Sequence, residues 1–149
     1  MIMTKALILY YSRTGNTEKM ANAVAEGLKS SGKVEVELNY HVDPQDLSLY
    51  DAIIVGAPTY SHDMPVDFKN LFIEAAVQGI SLKDKIGAVF GSYGWSGEAP
   101  KLILEIMKYK FEMKTIEPPL LVKNTPDQIA LNECRNLGRK VSESLMNRA

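Results

Sequence analysis

The 149-residue chain contains one cysteine, Cys134, and two histidines, His41 and His62. One cysteine cannot close an intrachain disulfide, and such sparing use fits a reducing cytoplasm. No apolar run approaches the ~20 residues that a membrane span requires. The N-terminus lacks the basic start and small-residue cleavage site of a signal peptide. With 17 basic and 18 acidic residues the net charge is −1. There is no basic run to attract nucleic acid and no acidic tail. Repeats, low-complexity tracts and long linkers are also missing, so residues 1–149 are expected to form a single domain. These absences leave a globular chain of ordinary composition, 46% hydrophobic and 23% charged, long enough to bury a full core.

What is present alternates between strand and helix. Ala6–Tyr11, Ala52–Ala57 and Ile86–Gly91 are continuously apolar, as strands buried on both faces should be. Val34, Val36, Leu38 and Tyr40 alternate with Glu35, Glu37 and Asn39, the pattern of a half-buried strand. Thr115–Val122 is expected to be a fifth strand, interrupted by Pro118-Pro119. Helical stripes run through Thr17–Ser30, through Phe68–Ala76 after Pro65, through Ala99–Lys110 and through Asp127–Met146. Asp43–Tyr50 is a short connection, and Cys134 shares a helical stripe with Leu137 and Val141, the place of a small buried hydrophobe.

This alternation predicts an α/β three-layer sandwich around a five-stranded parallel sheet. Strands 2 and 5, one alternating and one carrying prolines, belong at the edges. Right-handed crossovers then give the order 2-1-3-4-5. Ligands in such sheets bind at the carboxyl ends of the strands, near the switch between strands 1 and 3.

Three loops meet there. Ser12-Arg13-Thr14-Gly15-Asn16-Thr17 lies between a strand and a helix start, where free backbone N–H groups and the helix dipole suit a phosphate. It has neither the lysine of a Walker A loop nor the spacing of a dinucleotide fingerprint. One hydroxyl would be enough for a plain helix cap, the simpler alternative; three hydroxyls around Gly15 exceed that need. The second loop, Ala57-Pro58-Thr59-Tyr60-Ser61-His62-Asp63-Met64-Pro65, offers Tyr60 as a ligand wall or as a packing residue. His62 is read as an exposed loop residue, and Asp63 as a cap for the helix that Pro65 helps start. The third loop, Gly91-Ser92-Tyr93-Gly94-Trp95-Ser96-Gly97-Glu98, carries the only tryptophan on a glycine-rich backbone able to approach a flat ligand. A phosphate loop facing two aromatic loops describes a phosphorylated planar ring.

At these motifs the chain resembles the flavodoxin family. The matching residues are Ser12-x-Thr14-Gly15-Asn16-Thr17, Gly56-x-Pro58-Thr59-Tyr60 and Gly91-Ser92-Tyr93-Gly94-Trp95, in order and on the expected elements. The length is similar to the short-chain group, and the second and third loops also resemble the flavodoxin-type domain of A-type flavoproteins. The resemblance implies a flavodoxin-like fold and bound FMN. Ser12, Arg13, Thr14, Gly15, Asn16 and Thr17 would hold its phosphate, with Arg13 facing solvent. Pro58 and Thr59 would line the ribityl chain and ring. Tyr60 and Trp95 would flank the isoalloxazine, and the backbone through Ser92, Tyr93, Gly94 and Gly97 would meet its pyrimidine edge.

The implied function is a low-potential carrier of one or two electrons between redox partner proteins, cytoplasmic and a monomer or weak dimer. Alternatives of other classes are an FMN-dependent NAD(P)H:quinone or flavin reductase and a non-enzymatic regulatory or binding module. For a receiver-type module, Ala57-Pro58 stands where an acidic phosphoacceptor would be needed. Two histidines cannot build a diiron centre in this chain alone. The sequence departs from the family pattern in two places. Many flavodoxins have glycine where Ser61 stands, at a peptide that flips to bond flavin N5–H. A flip to positive φ costs a non-glycine residue about 1 kcal/mol or more, which predicts a less stabilised one-electron-reduced flavin. Flavodoxins are also commonly strongly acidic, whereas this chain is nearly neutral, which weakens steering toward basic partners.

Overall fold

The computed structural model describes residues 4–12, 15–59, 64–94 and 97–147. The continuous apolar segments form the central strands β1 (Thr4–Tyr10), β3 (Ala52–Gly56) and β4 (Ile86–Tyr93), and β2 (Val34–Asn39) lies on the edge beside β1. All pairings are parallel, with Ala6 opposite Ala52 and Ala52 opposite Ile86. The order β2-β1-β3-β4-β5 is the expected one.

The fifth strand differs from expectation. It folds as two pieces, β5 (Lys114–Thr115) along the start of β4 and β6 (Leu120–Lys123) along its end, so the sheet has six strands. Proline has no N–H to give to a ladder, so two in succession lift the chain off β4. Ile116 N–H still reaches the Gly87 carbonyl at 2.8 Å before the chain leaves. The Glu117–Pro118 peptide is cis.

Successive strand residues face opposite sides, and each side is covered by helices. On one face, Leu7, Leu9, Ile53, Val55 and Val89 pack with Phe68 and Phe72 of α2 (Val66–Val77) and Ile103 of α3 (Glu98–Glu105). Leu47, from a 3-10 turn over Pro44–Leu49, and Met64 join the same layer. On the other face, Ala6, Ile8, Ile54, Ala88 and Phe90 pack with Met20, Val24 and Leu28 of α1 (Asn16–Lys29). Cys134, Leu137 and Val141 of α4 (Gln128–Asn147) complete that layer.

Burial pushes the Cys134 thiol up to about 12, as its place among apolar side chains requires. The helix expected over Ala99–Lys110 is α-helical only to Glu105 and widens into a π turn over Ile106–Lys110. Glycines let α1 and α4 touch backbone to backbone, and the Arg135 guanidinium reaches Glu26 across them at 2.6 Å.

Candidate flavin site

The carboxyl ends of β1, β3 and β4 bring together the described parts of the three loops selected from the sequence. After β1, the Tyr11 N–H bonds the Gly56 carbonyl at 3.0 Å, and the chain then turns toward α1. Ser12 Oγ accepts the N–H groups of Gly15 at 3.1 Å and Glu18 at 3.3 Å. Gly15 has φ +90, a left-handed conformation that side chains disfavour, and nothing lies within 4 Å of where its Cβ would be. The first helical bond follows at once, from Lys19 N–H to the Gly15 carbonyl. A helix start leaves its first amides without partners inside the helix, and here they belong to Asn16 and Thr17.

Two contacts tie this loop to the others. Thr17 Oγ1 and Ser92 Oγ are 3.1 Å apart and both side chains are buried. Ser92 thus presents its hydroxyl to the start of α1, while its backbone leads into the third loop. Thr59 Oγ1 accepts the Ala99 N–H at 3.0 Å, which caps the start of α3 and fixes the second loop to the third. Pro58 and Thr59 are half-buried. Gly91 makes a close approach possible, since a Cβ there would fall 2.1 Å from the Ala57 carbonyl oxygen. Tyr93 is half-buried, and its carbonyl accepts the Asn124 N–H at 2.7 Å. Gly94 is exposed and Gly97 half-buried.

Arg13, Thr14, Tyr60, Ser61 and Trp95 lie outside the described residues, as do His62, Asp63 and Ser96. The α2 N-cap is Pro65, one position earlier than a proline within the first turn. One neighbouring feature was not visible in the sequence. Tyr10, at the end of β1, packs against the exposed Tyr40 with ring centroids 4.9 Å apart and planes tilted by 51°. Hydrogen bonding to Tyr40, with burial second, pushes the Tyr10 phenol up to about 12. Alternation along β1 could have placed Tyr10 on the α1 face, but nothing local names Tyr40 as its partner.

The donor set suits a phosphorylated flat ligand. Neutral hydroxyls of Ser12, Thr17 and Ser92 lie at the start of α1, the kind of cradle that takes phosphate without a lysine, while Thr59 is engaged at the start of α3. Among the described residues, no group of three or more His, Cys, Asp or Glu side chains is placed to hold a metal ion.

The sequence profile of the flavodoxin family matches residues 8–138. The chain belongs to the flavodoxin family. The flavodoxin of Clostridium beijerinckii is 33% identical over 138 residues, covering 91% of this chain and 97% of that one. A solved flavodoxin described as coming from the domain Archaea is 37% identical with a TM-score of 0.88, covering 97% of this chain and 100% of that one. The type A flavoprotein of Rhodobacter capsulatus is 35% identical over 150 residues, covering 96% of this chain but 34% of its own length. The chain therefore spans about a third of that relative. As a member of this family it is an FMN-binding, flavodoxin-like protein. No helix among the described residues is long and apolar enough to cross a membrane.

Proposed function

We propose that the chain is a low-potential electron carrier in which residues 12–17 hold the FMN phosphate. Pro58 and Thr59 line the ribityl chain and ring, and Tyr60 and Trp95 flank the isoalloxazine. The backbone through Ser92, Tyr93, Gly94 and Gly97 borders its pyrimidine edge. The observation that carries this reading is the convergence of Ser12, Gly15, Thr17 and Ser92 at one helix start. Bound FMN supplies the redox chemistry, and the protein supplies position, exclusion of water and electrostatics. Ser12 gathers the Gly15 and Glu18 amides and so shapes the loop, while Thr59 and Gly91 hold the second and third loops at a fixed separation. Among the described residues the phosphate cradle offers neutral hydroxyls and amides, so the anionic phosphate disfavours further negative charge on a stacked ring. That is the reason to expect a low potential.

The buried, unpaired thiol of Cys134 suits a cytoplasmic setting. We further propose that the protein is a monomer or weak dimer, which light scattering after size exclusion would test. An absorption spectrum during anaerobic reduction tests the central reading. Flavin bands that bleach on reduction, with potentials below that of free FMN, are expected. Rapid steady-state oxidation of NAD(P)H with a quinone would instead mark a reductase.

A further inference from the structure

Thr17 is the second residue of α1 and Ser92 the next-to-last residue of β4, yet their hydroxyl oxygens meet at 3.1 Å. Thr17 is 2% exposed and Ser92 7%, so water is no ready substitute for either partner. Each hydroxyl carries one proton and two lone pairs. One bond between them uses one proton and leaves the other to find an acceptor. Thr17 stands in the first turn of α1, so no carbonyl of a preceding helical turn is there to take its proton. The Ser92 backbone is fixed in the parallel ladder opposite Val122.

The geometry points to Ser92 as a positioning residue for phosphate recognition: it donates to Thr17 Oγ1 and so directs the Thr17 proton toward the cofactor's phosphate. The relay polarises Thr17 as a donor. This role rests on the assignment of Thr17 to the phosphate. Its signature is selectivity, because FMN and riboflavin differ only in that phosphate.

The test uses the full chain with FMN bound. Dilution releases fluorescent flavin and gives the FMN dissociation constant, and exchange against riboflavin gives the preference for the phosphorylated form. Ser92→Ala is expected to lower that preference about tenfold, the size of a lost hydrogen bond to a charged group, and Thr17→Ala at least as much. In a Thr17→Ala background, Ser92→Ala is expected to change the preference by less than about twofold, because it acts through Thr17. Should Ser92→Ala fail to fold, Ser92→Cys keeps the volume with a weaker donor and is expected to lose about threefold.

Equal weakening of FMN and riboflavin by the Ser92 variants would overturn the proposal, as would an undiminished effect in the Thr17→Ala background. A Thr17→Ala protein with unchanged preference would overturn the phosphate assignment of Thr17 and the proposal with it. A changed preference in Thr17→Ala but not in Ser92→Ala would overturn only the role of Ser92.

Discussion

Gly138 of α4 lies against Gly27 of α1, so that a Cβ on Gly138 would fall 3.0 Å from the Gly27 Cα and 2.2 Å from the Val24 carbonyl oxygen. The reverse also holds, since a Cβ on Gly27 would meet the Arg135 carbonyl oxygen at 2.0 Å. These obstacles are backbone atoms, which cannot rotate away. Alanine in place of a helical glycine gains up to ~1 kcal/mol of helix propensity, but overpacking costs ~1–3 kcal/mol or more. Gly138→Ala is therefore expected to destabilise the protein despite its better helix former. FMN affinity should fall with it, because the proposed phosphate loop leads into α1. Urea unfolding with and without excess FMN measures both effects; an unchanged or raised midpoint would contradict the packing argument.

Gly15 and Gly91 should fail for different reasons. At Gly15 the space is open and only φ +90 opposes a side chain, so Gly15→Ala should cost ~1–2 kcal/mol and leave the fold intact. At Gly91 the Cβ would collide with the Ala57 carbonyl oxygen and with Pro100, pushing the second loop from the third. Gly91→Ala should lose more stability and more FMN affinity than Gly15→Ala. Thermal denaturation and flavin-release titrations of the two variants would show the ranking, and the reverse order would refute it.

Stability should decline in alkali. Burial holds the Cys134 thiol up at about 12, against 9.0 for a free thiol, so the unfolded chain ionises first. The thiol's contribution is fully present below about pH 9 and is lost as pH rises toward about 12. Tyr10 at about 12, through its bond to Tyr40, acts with the same sign, as does Tyr50, raised by burial and by its bond to Glu37. Cys134→Ala should remove the thiol's share of this decline. Unfolding midpoints at about pH 8 and about pH 10 test the sign, and a decline as steep in the variant as in the parent would count against Cys134.

The Ser61 position makes a redox prediction from sequence alone. If the peptide at residue 61 flips as the family resemblance implies, Ser61→Gly removes a conformational cost of about 1 kcal/mol for turning to positive φ. More one-electron-reduced flavin should then accumulate midway through an anaerobic titration, and the two one-electron potentials should move apart. Equal amounts in the variant and the parent would show that residue 61 does not set this balance.

The central strands were legible because strands buried on both faces have continuous apolar sequences. Their order was legible because β2 alternates and the fifth lane carries prolines. What the sequence left ambiguous was whether Pro118-Pro119 interrupts one strand or separates two, since the ladder on either side depends on β4. The apolar stripe through Met107 likewise could not tell an α-helix from the π turn over Ile106–Lys110, which differ by less than one residue per turn. The three site loops followed from topology. The contacts that organise them, Thr17 with Ser92 and Thr59 with Ala99, join residues 75 and 40 positions apart and leave no local pattern.

The broken fifth lane has a consequence for traffic between molecules. An intact edge strand offers a row of amides and carbonyls to which a foreign strand can add. Here one edge is cut at Pro118-Pro119, and the other, β2, carries Glu35 and Glu37. An electron carrier of the proposed kind must meet its partners and leave each one quickly. By denying strangers a lateral foothold, the two margins of the sheet leave productive encounters to the end where the strands' carboxyl termini and the three loops meet.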